Sequence, residues 1–217
     1  MQKKQYVVWG LGRFGKSVAL TLAGLGHEVL GIDSAEDIVQ AVSQDLTHVV
    51  VCPNIDEATV NSLGLRNFDT AIIGIGDLEA NLLCTMLLKE AGIRTIVAKA
   101  SSTIHGKMLT KLGADKVIYP ERDMGLRVAH NLASSNVMDY IELAEDLSLM
   151  EIVVTANLVG KSLIEADLRR KYGINVVAIK RGNKTAINLD PHEKLEKDDI
   201  LVIIGNQDMA KTIGEGL

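Results

Sequence analysis

A glycine-rich segment near the start of the chain constrains the fold more than any other feature. Residues 10–15 have the sequence GLGRFG, follow the apolar run Tyr6–Trp9 and precede a segment with apolar residues at helical spacing. In this context Gly10 permits a tight turn, Gly12 lets the backbone approach a phosphate, and Gly15 allows close packing of helix on strand. The helix start adds unpaired N–H groups and the positive end of a dipole. The segment therefore predicts a nucleotide site.

Strand-like and helix-like segments alternate over residues 1–120, which is the pattern of repeated βαβ units with a parallel sheet. Helical spacing is clearest over Phe14–Leu25 and Leu78–Ala91. We therefore predict an α/β fold whose N-lobe, residues 1–120, is a Rossmann-like parallel sheet. Its predicted strands are Tyr6–Trp9, Glu28–Ile32, His48–Cys52, Thr70–Ile75, Thr95–Ala98 and Lys116–Tyr119.

The pattern changes after Pro120. The following segment, Glu121–Asn136, has amphipathic helical spacing after a proline start, and residues 121–138 are assigned to a crossover helix. The strands beyond it are too few, and its helices too short, to extend the first sheet, so residues 139–217 are predicted to form a small α+β C-lobe. Its predicted elements are the strands Tyr140–Leu143, Ser148–Val154, Asn175–Lys180 and Ile200–Ile204 and a helix over Ile164–Arg170.

Composition narrows the classes of function. The formal net charge is −5 and the lysines are scattered, so the chain lacks the basic field with which proteins bind nucleic acid. No apolar run approaches the ~20 residues that span a bilayer, and a cytoplasmic location is expected. The two cysteines, Cys52 and Cys84, stand in apolar segments and are interpreted as small buried hydrophobes, not as a disulfide or a metal site.

Two polar residues near the glycine segment have two interpretations each. Asp33 ends the second predicted strand, where its carboxylate can accept hydrogen bonds from ribose hydroxyls, or can cap a helix that runs from Ser34 onwards. An acid at this position disfavours a 2′-phosphate, so NAD, ADP and ATP are favoured over NADP. Arg13 can reach terminal phosphates through charge-assisted hydrogen bonds, or can be an exposed arginine at a helix start.

The sequence gives little indication of catalysis. The five histidines stand apart, without metal-ligand spacing, and no phosphate loop for ATP hydrolysis or nucleophile elbow is present. We therefore predict a protein that is not an enzyme.

Several further motifs make the chain similar to a known family. It resembles the Ktr family, KtrA and KtrC, the cytosolic regulatory subunits of bacterial potassium uptake systems, built on RCK domains (regulators of potassium conductance). The resemblance covers nearly the whole chain. The segments that carry it are Val8–Gly15, Gly26–Val29, Leu63–Phe68, Lys111–Asp115, Pro120–Gly125 and Asp167–Lys180.

The resemblance implies an assembly and a ligand. Dimers would form an octameric ring beneath a membrane-embedded potassium-translocating subunit, at the inner face of the cell membrane. ATP and ADP would compete for the N-lobe, with Arg13 at the terminal phosphate and Glu121 beside a cation. Asp77 and Glu79 are left out of the site because the chain is slightly shorter there than some relatives. The implied site residues are Gly10, Gly12, Arg13, Phe14, Gly15, Asp33, Ser34, Asn54, Ile55, Gly76, Lys99 and Glu121.

The C-lobe of this family also implies a second ligand, cyclic di-AMP, bound between two subunits. Arginine can pair with phosphate, asparagine can hydrogen-bond, and aliphatic groups can cover purine faces. The alternative is an ordinary domain core with a solvated arginine. The matching residues are Leu163, Ile164, Arg169, Ile174, Asn175 and Pro191.

The sequence leaves three candidate functions for this protein. The favoured one is a nucleotide-gated regulatory subunit of a potassium transporter. A second is an NAD(H)-responsive binding module of the TrkA type, and a third is a small NAD-dependent oxidoreductase. Competition between ATP, ADP and NADH at one site distinguishes them.

Overall fold

Alternation of buried strands with amphipathic helices builds the first of two units. The computed structural model describes residues 3–133, 136–144 and 146–206, and the chain divides into units of residues 1–121 and 122–217. The elements of the first unit are β1 Gln5–Trp9, α1 Arg13–Gly24, β2 Glu28–Asp33, α2 Glu36–Gln40, β3 His48–Val51, α3 Glu57–Ser62, a 3-10 turn Leu65–Asn67, β4 Thr70–Ile73, α4 Leu78–Glu90, β5 Thr95–Lys99, α5 Thr103–Lys111 and β6 Lys116–Ile118.

The six strands form one parallel sheet in the order β3-β2-β1-β4-β5-β6, which confirms the predicted Rossmann-like N-lobe. The order reverses between β1 and β4, and in such sheets ligands bind in the crevice at the carboxyl ends of the strands beside this point. Strand β4 ends at Ile73, two residues before the predicted end. Gly74 still donates to the Trp9 oxygen at 2.7 Å, and it packs so closely on the glycine segment that a β-carbon would lie 2.7 Å from the Gly10 oxygen. Helices α2, α3 and α5 were missing from the sequence prediction.

The central strand β1 is buried on both faces. Val7 and Val8 have no exposed surface, and their side chains pack into different hydrophobic clusters because successive strand residues point to opposite faces. One cluster contains Ile73 and Leu88, and the other contains Ala19 of α1. Each fully buried aliphatic side chain contributes about 1.5–3 kcal/mol, so both helical layers are held firmly against the sheet.

The second unit is built on an antiparallel sheet in the order β10-β9-β11-β8-β7. Its core contains Met150, Ile152, Leu201 and Ile203 from adjacent strands, which confirms the predicted α+β C-lobe. The elements from Pro120 onward are α6 Pro120–Ala133, β7 Val137–Ala144, β8 Leu147–Val153, α7 Leu163–Ala166, α8 Leu168–Tyr172, β9 Asn175–Arg181, β10 Lys184–Ala186 and β11 Ile200–Gly205.

Two predictions for the second half of the chain are wrong in detail. Helix α6 does not extend to residue 138, because Val137 and Tyr140 are buried in the sheet of the second unit as part of β7. The helix predicted over Ile164–Arg170 is two short helices, which are separated at Asp167. Asp167 has a φ of 49°, in the left-handed region, and aspartate tolerates this conformation better than most residues. Strand β10 was not predicted. Parts of the predicted segments, residues 134–135, 145 and 207–217, lie outside the described residues.

Helix α6 differs from the other long helices because none of its residues is buried. Four of its apolar side chains are about half exposed or more: Met124, Leu126, Val128 and Leu132, the last at 82%. In the described part of the chain, no helix combines the length and apolarity that crossing a membrane requires.

Candidate functional site

A cavity of about 380 Å³ opens at the carboxyl ends of β1, β2, β3 and β4, beside the reversal of strand order. This is where parallel α/β sheets bind their ligands. The lining residues are Trp9, Gly10, Gly12, Asp33, Ser34, Ile38, Cys52, Pro53, Ile55, Gly74, Ile75, Gly76, Asp77 and Ala80.

The glycine segment forms the floor of this cavity through two close backbone contacts. Gly10 has a φ of +91°, and a β-carbon there would lie 2.7 Å from the backbone nitrogen of Ile75. A β-carbon on Gly15 would lie 1.8 Å from the carbonyl oxygen of Gly10, so helix α1 packs on the segment at a distance that only glycine allows. Around Gly12, by contrast, no atom lies within 4 Å of a β-carbon position, which leaves its backbone open to the cavity.

The start of helix α1 offers N–H groups to a ligand. Its N-cap is Gly12, no side chain accepts a hydrogen bond there, and no acidic residue occupies the first turn. In contrast, Asp77 caps α4 by accepting from the Ala80 nitrogen at 2.9 Å, and Ser102 caps α5. The first N–H groups of a helix have no partner within the helix, and they favour an anion. The beginning of α1 is therefore suited to phosphate.

Asp33 makes two backbone hydrogen bonds at the edge of the cavity. Its Oδ2 accepts from the Leu11 nitrogen at 2.6 Å and its Oδ1 accepts from the Ala35 nitrogen at 3.0 Å. One bond therefore holds the glycine segment and the other holds the turn that leads into α2. A carboxylate has about four acceptor positions, so each oxygen retains capacity for a ribose hydroxyl. The capping interpretation is wrong, because the N-cap of α2 is Ala35 and no side chain caps that helix. The ribose interpretation stays a prediction, for which this geometry leaves room.

Three charged residues predicted for the site form a group of their own. The Lys99 ammonium lies 3.0 Å from Glu121 Oε1, and the hydrogen bond from Lys99 is the main cause of a lowered pKa of Glu121, to which the charge of Arg13 also contributes. Lys99 is half-buried, while Arg13 and Glu121 are exposed. None of the three lines the cavity.

The structure thus brings only part of the predicted set to the cavity. The predicted residues that line it are Gly10, Gly12, Asp33, Ser34, Ile55 and Gly76. Gly15 does not line the cavity but packs against the Gly10 carbonyl, and Phe14 packs against the hydrophobic cluster that contains Val8. The backbone oxygen of Asn54 accepts a hydrogen bond from the Cys52 thiol at 3.0 Å. Nucleotide contacts stay predictions for all of these residues, whether or not they line the cavity.

Sequence reasoning missed most of the apolar wall. Trp9, Cys52 and Ile75 line the cavity at or just beyond the ends of β1, β3 and β4, and Asp77, which had been left out of the site, also lines it. The available signal was position, because residues just after parallel strands collect at one edge of the sheet. Both cysteines are free and buried, as predicted, and burial raises the pKa of each thiol.

A cation beside Glu121 would have few ligands from this chain. Among the described residues, no group of three or more His, Cys, Asp or Glu side chains could hold a metal ion. The Glu121 carboxylate is 69% exposed and paired with Lys99, so it offers one oxygen ligand at most without losing that pair. Phosphate oxygens of a nucleotide would have to supply others, as they do for Mg²⁺ at many sites.

The residues predicted for cyclic di-AMP lie in the second unit. The Ile164 nitrogen donates to the Pro191 oxygen at 3.3 Å, and the Lys194 ammonium lies 2.6 Å from Glu165, so α7 is fastened to the loop before β11. The hydrogen bond from Lys194 is the main cause that lowers the pKa of Glu165 to about 2. Ile164 is 55% exposed.

The other members of this set divide between surface and core. Arg169 and Asn175 are exposed and Leu163 is half-buried. Ile174 is 1% exposed and belongs to the core of the second unit. For Ile174 and Arg169, the structure therefore matches the alternative of a core residue and a solvated arginine. Their contact with a ligand stays a prediction.

Comparison with known proteins gives the same division of the chain. The TrkA-N domain model matches residues 6–120 and the TrkA-C domain model matches residues 149–215. Ktr system potassium uptake protein C of Bacillus subtilis (strain 168) is 46% identical over 205 residues, covering 94% of this chain and 93% of its own. Ktr system potassium uptake protein A of the same organism is 40% identical, covering 100% and 99%.

A solved structure of similar fold is the GsuK channel bound to NAD. It superposes with a TM-score of 0.70 at 16% identity, over 100% of this chain but only 40% of that longer chain. At this identity the likeness shows the fold alone. The same holds for the GsuK RCK domain, which superposes with a TM-score of 0.69 at 15% identity over 99% of this chain and 47% of that chain. Together with the two domain matches and the Bacillus relatives, it leads to one assignment: the chain belongs to the Ktr family of TrkA-N and TrkA-C domain proteins.

Proposed function

We propose that this protein is a nucleotide-gated regulatory subunit of a bacterial potassium uptake system, and that ATP and ADP compete for its N-lobe cavity. The observation that carries the proposal is the start of α1, where an uncapped helix N-terminus and the open backbone at Gly12 face a cavity beside Asp33. The N–H groups suit phosphates and the Asp33 carboxylate suits ribose hydroxyls. Membership of the Ktr family supports the link to potassium uptake.

Discrimination between ATP and ADP requires groups that contact the additional phosphate, because a ligand shifts an equilibrium only through its differential affinity. Arg13 begins α1 and is exposed, and Lys99 is the nearby ammonium paired with Glu121. A terminal phosphate beside Arg13 would also draw Lys99 from Glu121 and would free that carboxylate for a cation. Catalysis is not part of this proposal.

The regulatory function also needs partners. We infer that helix α6 associates with a second copy of the chain, because Met124, Leu126, Val128 and Leu132 leave apolar surface exposed along it. The proposed assembly is the dimer and the octameric ring implied by the family. That ring would act from the cytoplasm on a membrane-embedded potassium-translocating subunit.

Cyclic di-AMP is proposed as the ligand of the C-lobe. Ile164 and Pro191 are exposed and adjacent, and they can cover a purine face, while the exposed Arg169 can pair with a phosphate. Binding at this second site would bias the ring toward its inactive conformation. Two sites and two global states meet the definition of allostery, with a coupling free energy of typically about 1–3 kcal/mol.

The test of the nucleotide proposal is a competitive titration of the full chain with ATP, ADP and NADH. We expect ATP and ADP to displace each other with 1:1 stoichiometry. NADH is the informative competitor because the GsuK channel of similar fold binds NAD. If NADH binds and neither ATP nor ADP competes with it, the NAD(H)-responsive module is established instead. Turnover of NADH with a small substrate would establish the oxidoreductase.

Arg13 is expected to determine the preference for ATP. The Arg13→Ala variant should bind ATP about tenfold more weakly while its ADP affinity changes about twofold or less, because a charge-assisted hydrogen bond contributes about 1.5–3 kcal/mol. Isothermal titration calorimetry with both nucleotides measures the difference. Arg94→Ala is the matched control, since Arg94 is exposed and lies before β5, at the opposite end of the sheet.

A physiological assay completes this test. Potassium uptake by cells that contain a cognate membrane subunit should require about tenfold more ATP for the same stimulation when Arg13→Ala replaces the wild type. Unchanged uptake together with an unchanged ATP response would contradict the role of Arg13.

Arg169 is expected to be required for cyclic di-AMP. The Arg169→Ala variant should lose at least about tenfold in affinity for cyclic di-AMP because it lacks the proposed phosphate partner, and its ATP affinity should stay the same. Equilibrium dialysis with labelled ligand measures the loss. Arg170→Ala is the control, because Arg170 is adjacent and exposed but is paired with Asp167 at 2.7 Å. Equal losses in the two variants would argue against a specific contact.

A further inference from the structure

Asn81 is a polar residue in the core of the first unit. It lies on α4, has no exposed surface, and stands one turn before Cys84 and Thr85, which are also fully buried. An amide in such a place costs free energy unless its donors and acceptor have partners. Its hydrogen bonds therefore show what the residue is for.

Both donors of the Asn81 amide are directed to backbone carbonyls. Nδ2 donates to the Ile75 oxygen at 2.8 Å and to the Lys99 oxygen at 3.0 Å. Because both partners are acceptors, the nitrogen and not the oxygen must face them. Oδ1 is buried and has no hydrogen-bond partner within the described residues. The two donated bonds are therefore the interactions through which this side chain acts on its surroundings.

The two carbonyls lie just beyond the point where the backbone pairing of β4 with β5 ends. Pairing between β4 and β5 ends with Ile73 opposite Ala98. Ile75 and Lys99 lie beyond this last pair, and the Asn81 amide bridges them in place of ladder hydrogen bonds. The turn after β4 is thereby tied to the end of β5 through a single side chain.

Each end of this bridge leads to a different part of the nucleotide site. Ile75 and the following Gly76 line the cavity. Lys99 carries the ammonium that is paired with Glu121 at 3.0 Å. A displacement of the cavity wall at Ile75 therefore has a direct mechanical route to Lys99.

We propose that Asn81 is a positioning residue that couples the cavity wall at Ile75 to Lys99, and that it thereby contributes to the discrimination between ATP and ADP. The inference rests on the proposed function, since it assigns Asn81 a role in nucleotide selection at the same site. It is separate from that function in its test, because it concerns the ratio of two affinities and not the existence of binding.

The test compares Asn81→Ala with Thr85→Ala in the full chain. Thr85 is the matched control because it is equally buried on the same helix, but its hydroxyl donates only to the backbone oxygen of Asn81, within α4. We expect Asn81→Ala to weaken ATP about tenfold relative to ADP, the change that corresponds to one or two hydrogen bonds. Thr85→Ala should leave the ratio of the two Kd values within about twofold while lowering the melting temperature comparably.

Four results would overturn one or the other of the two proposals. An unchanged ratio in Asn81→Ala, or an equal change in both variants, overturns the role of Asn81 even where the wild type binds ATP and ADP competitively. Absence of competition in the wild type overturns the proposed function itself. If Asn81→Ala does not fold, hydrogen exchange of the wild type decides: ATP should protect residues 74–77 and 99–101 together, and protection confined to 74–77 contradicts the coupling.

Discussion

We expect the Gly15→Ala variant to lose ATP binding by at least about a hundredfold and to unfold more readily than the wild type. The added β-carbon would lie 1.8 Å from the carbonyl oxygen of Gly10, so α1 or the glycine segment must move. Overpacking of this kind costs about 1–3 kcal/mol, and here the atom in the way belongs to backbone and cannot rotate aside. The displaced segment would carry the N–H groups of α1 away from the phosphates. Calorimetry with ATP and a urea unfolding curve measure the two effects.

The same helix supplies the control. Gly24 ends α1, and a β-carbon on it would meet no atom within 4 Å. Gly24→Ala should therefore keep full ATP affinity and gain up to about 1 kcal/mol of stability, because alanine favours the helix more than glycine does. Loss of ATP binding in both variants would show that α1, and not its contact with Gly10, is what the site requires.

The second large effect is expected in the C-lobe, where Asp199→Ala should lower the free energy of unfolding of that unit by about 2–3 kcal/mol. Asp199 has no exposed surface, and its two oxygens accept from Arg181 Nε and Nη2, each at 2.8 Å. Breaking a buried pair costs about 3–5 kcal/mol. The expected loss is smaller here because the Arg181 side chain is 36% exposed, and solvent therefore screens the pair. Glu193→Ala is the control: its carboxylate also meets Arg181, at 3.0 Å, but is 44% exposed. It should cost about 0.5 kcal/mol or less.

This contribution should depend on pH in a defined direction. The hydrogen bond from Arg181 is the main cause of a lowered pKa of Asp199 in the folded protein. The stability that the carboxylate confers is therefore fully present above the ordinary aspartate pKa of about 3.9, and it is lost as the pH falls through the lower folded value. Urea unfolding at pH 7 and pH 3 should show the difference between wild type and Asp199→Ala shrinking at the lower pH. A constant difference would argue against ionic stabilisation.

The N-lobe was predictable because its information is local. The segment of residues 10–15 lies between a strand and a helix, and the alternation of buried strands continues through β6, so the parallel sheet follows from pattern alone. The boundary after α6 was not predictable in this way. Val137 continues the apolar spacing of a helix, and only its pairing with Ile152 in the second sheet makes it a strand residue. Long-range pairing of this kind overrides local preference.

The site divides in the same manner. Gly12 and Asp33 were identified because the chemistry of phosphate and ribose requires such residues at such spacing. Asn81 was not identified, since in the sequence it is one polar residue among several in α4, and its two carbonyl partners come from elsewhere in the chain. Its helical spacing from the buried residues Cys84, Thr85 and Leu88 is a usable signal, because a polar residue that faces a core must have partners.

The two hydrogen bonds of Asp33 affect how the proposed nucleotide site binds and releases its ligand. Because Leu11 and Ala35 are already held by this carboxylate, the glycine segment is in place before any nucleotide arrives. Binding then spends little free energy on ordering the segment, which is the advantage of a preorganised site. Differences in affinity among related ligands of such a site reside mainly in their dissociation rates. In the proposed function, the residence time of the bound nucleotide would therefore limit how quickly potassium uptake follows a change in the ratio of ATP to ADP.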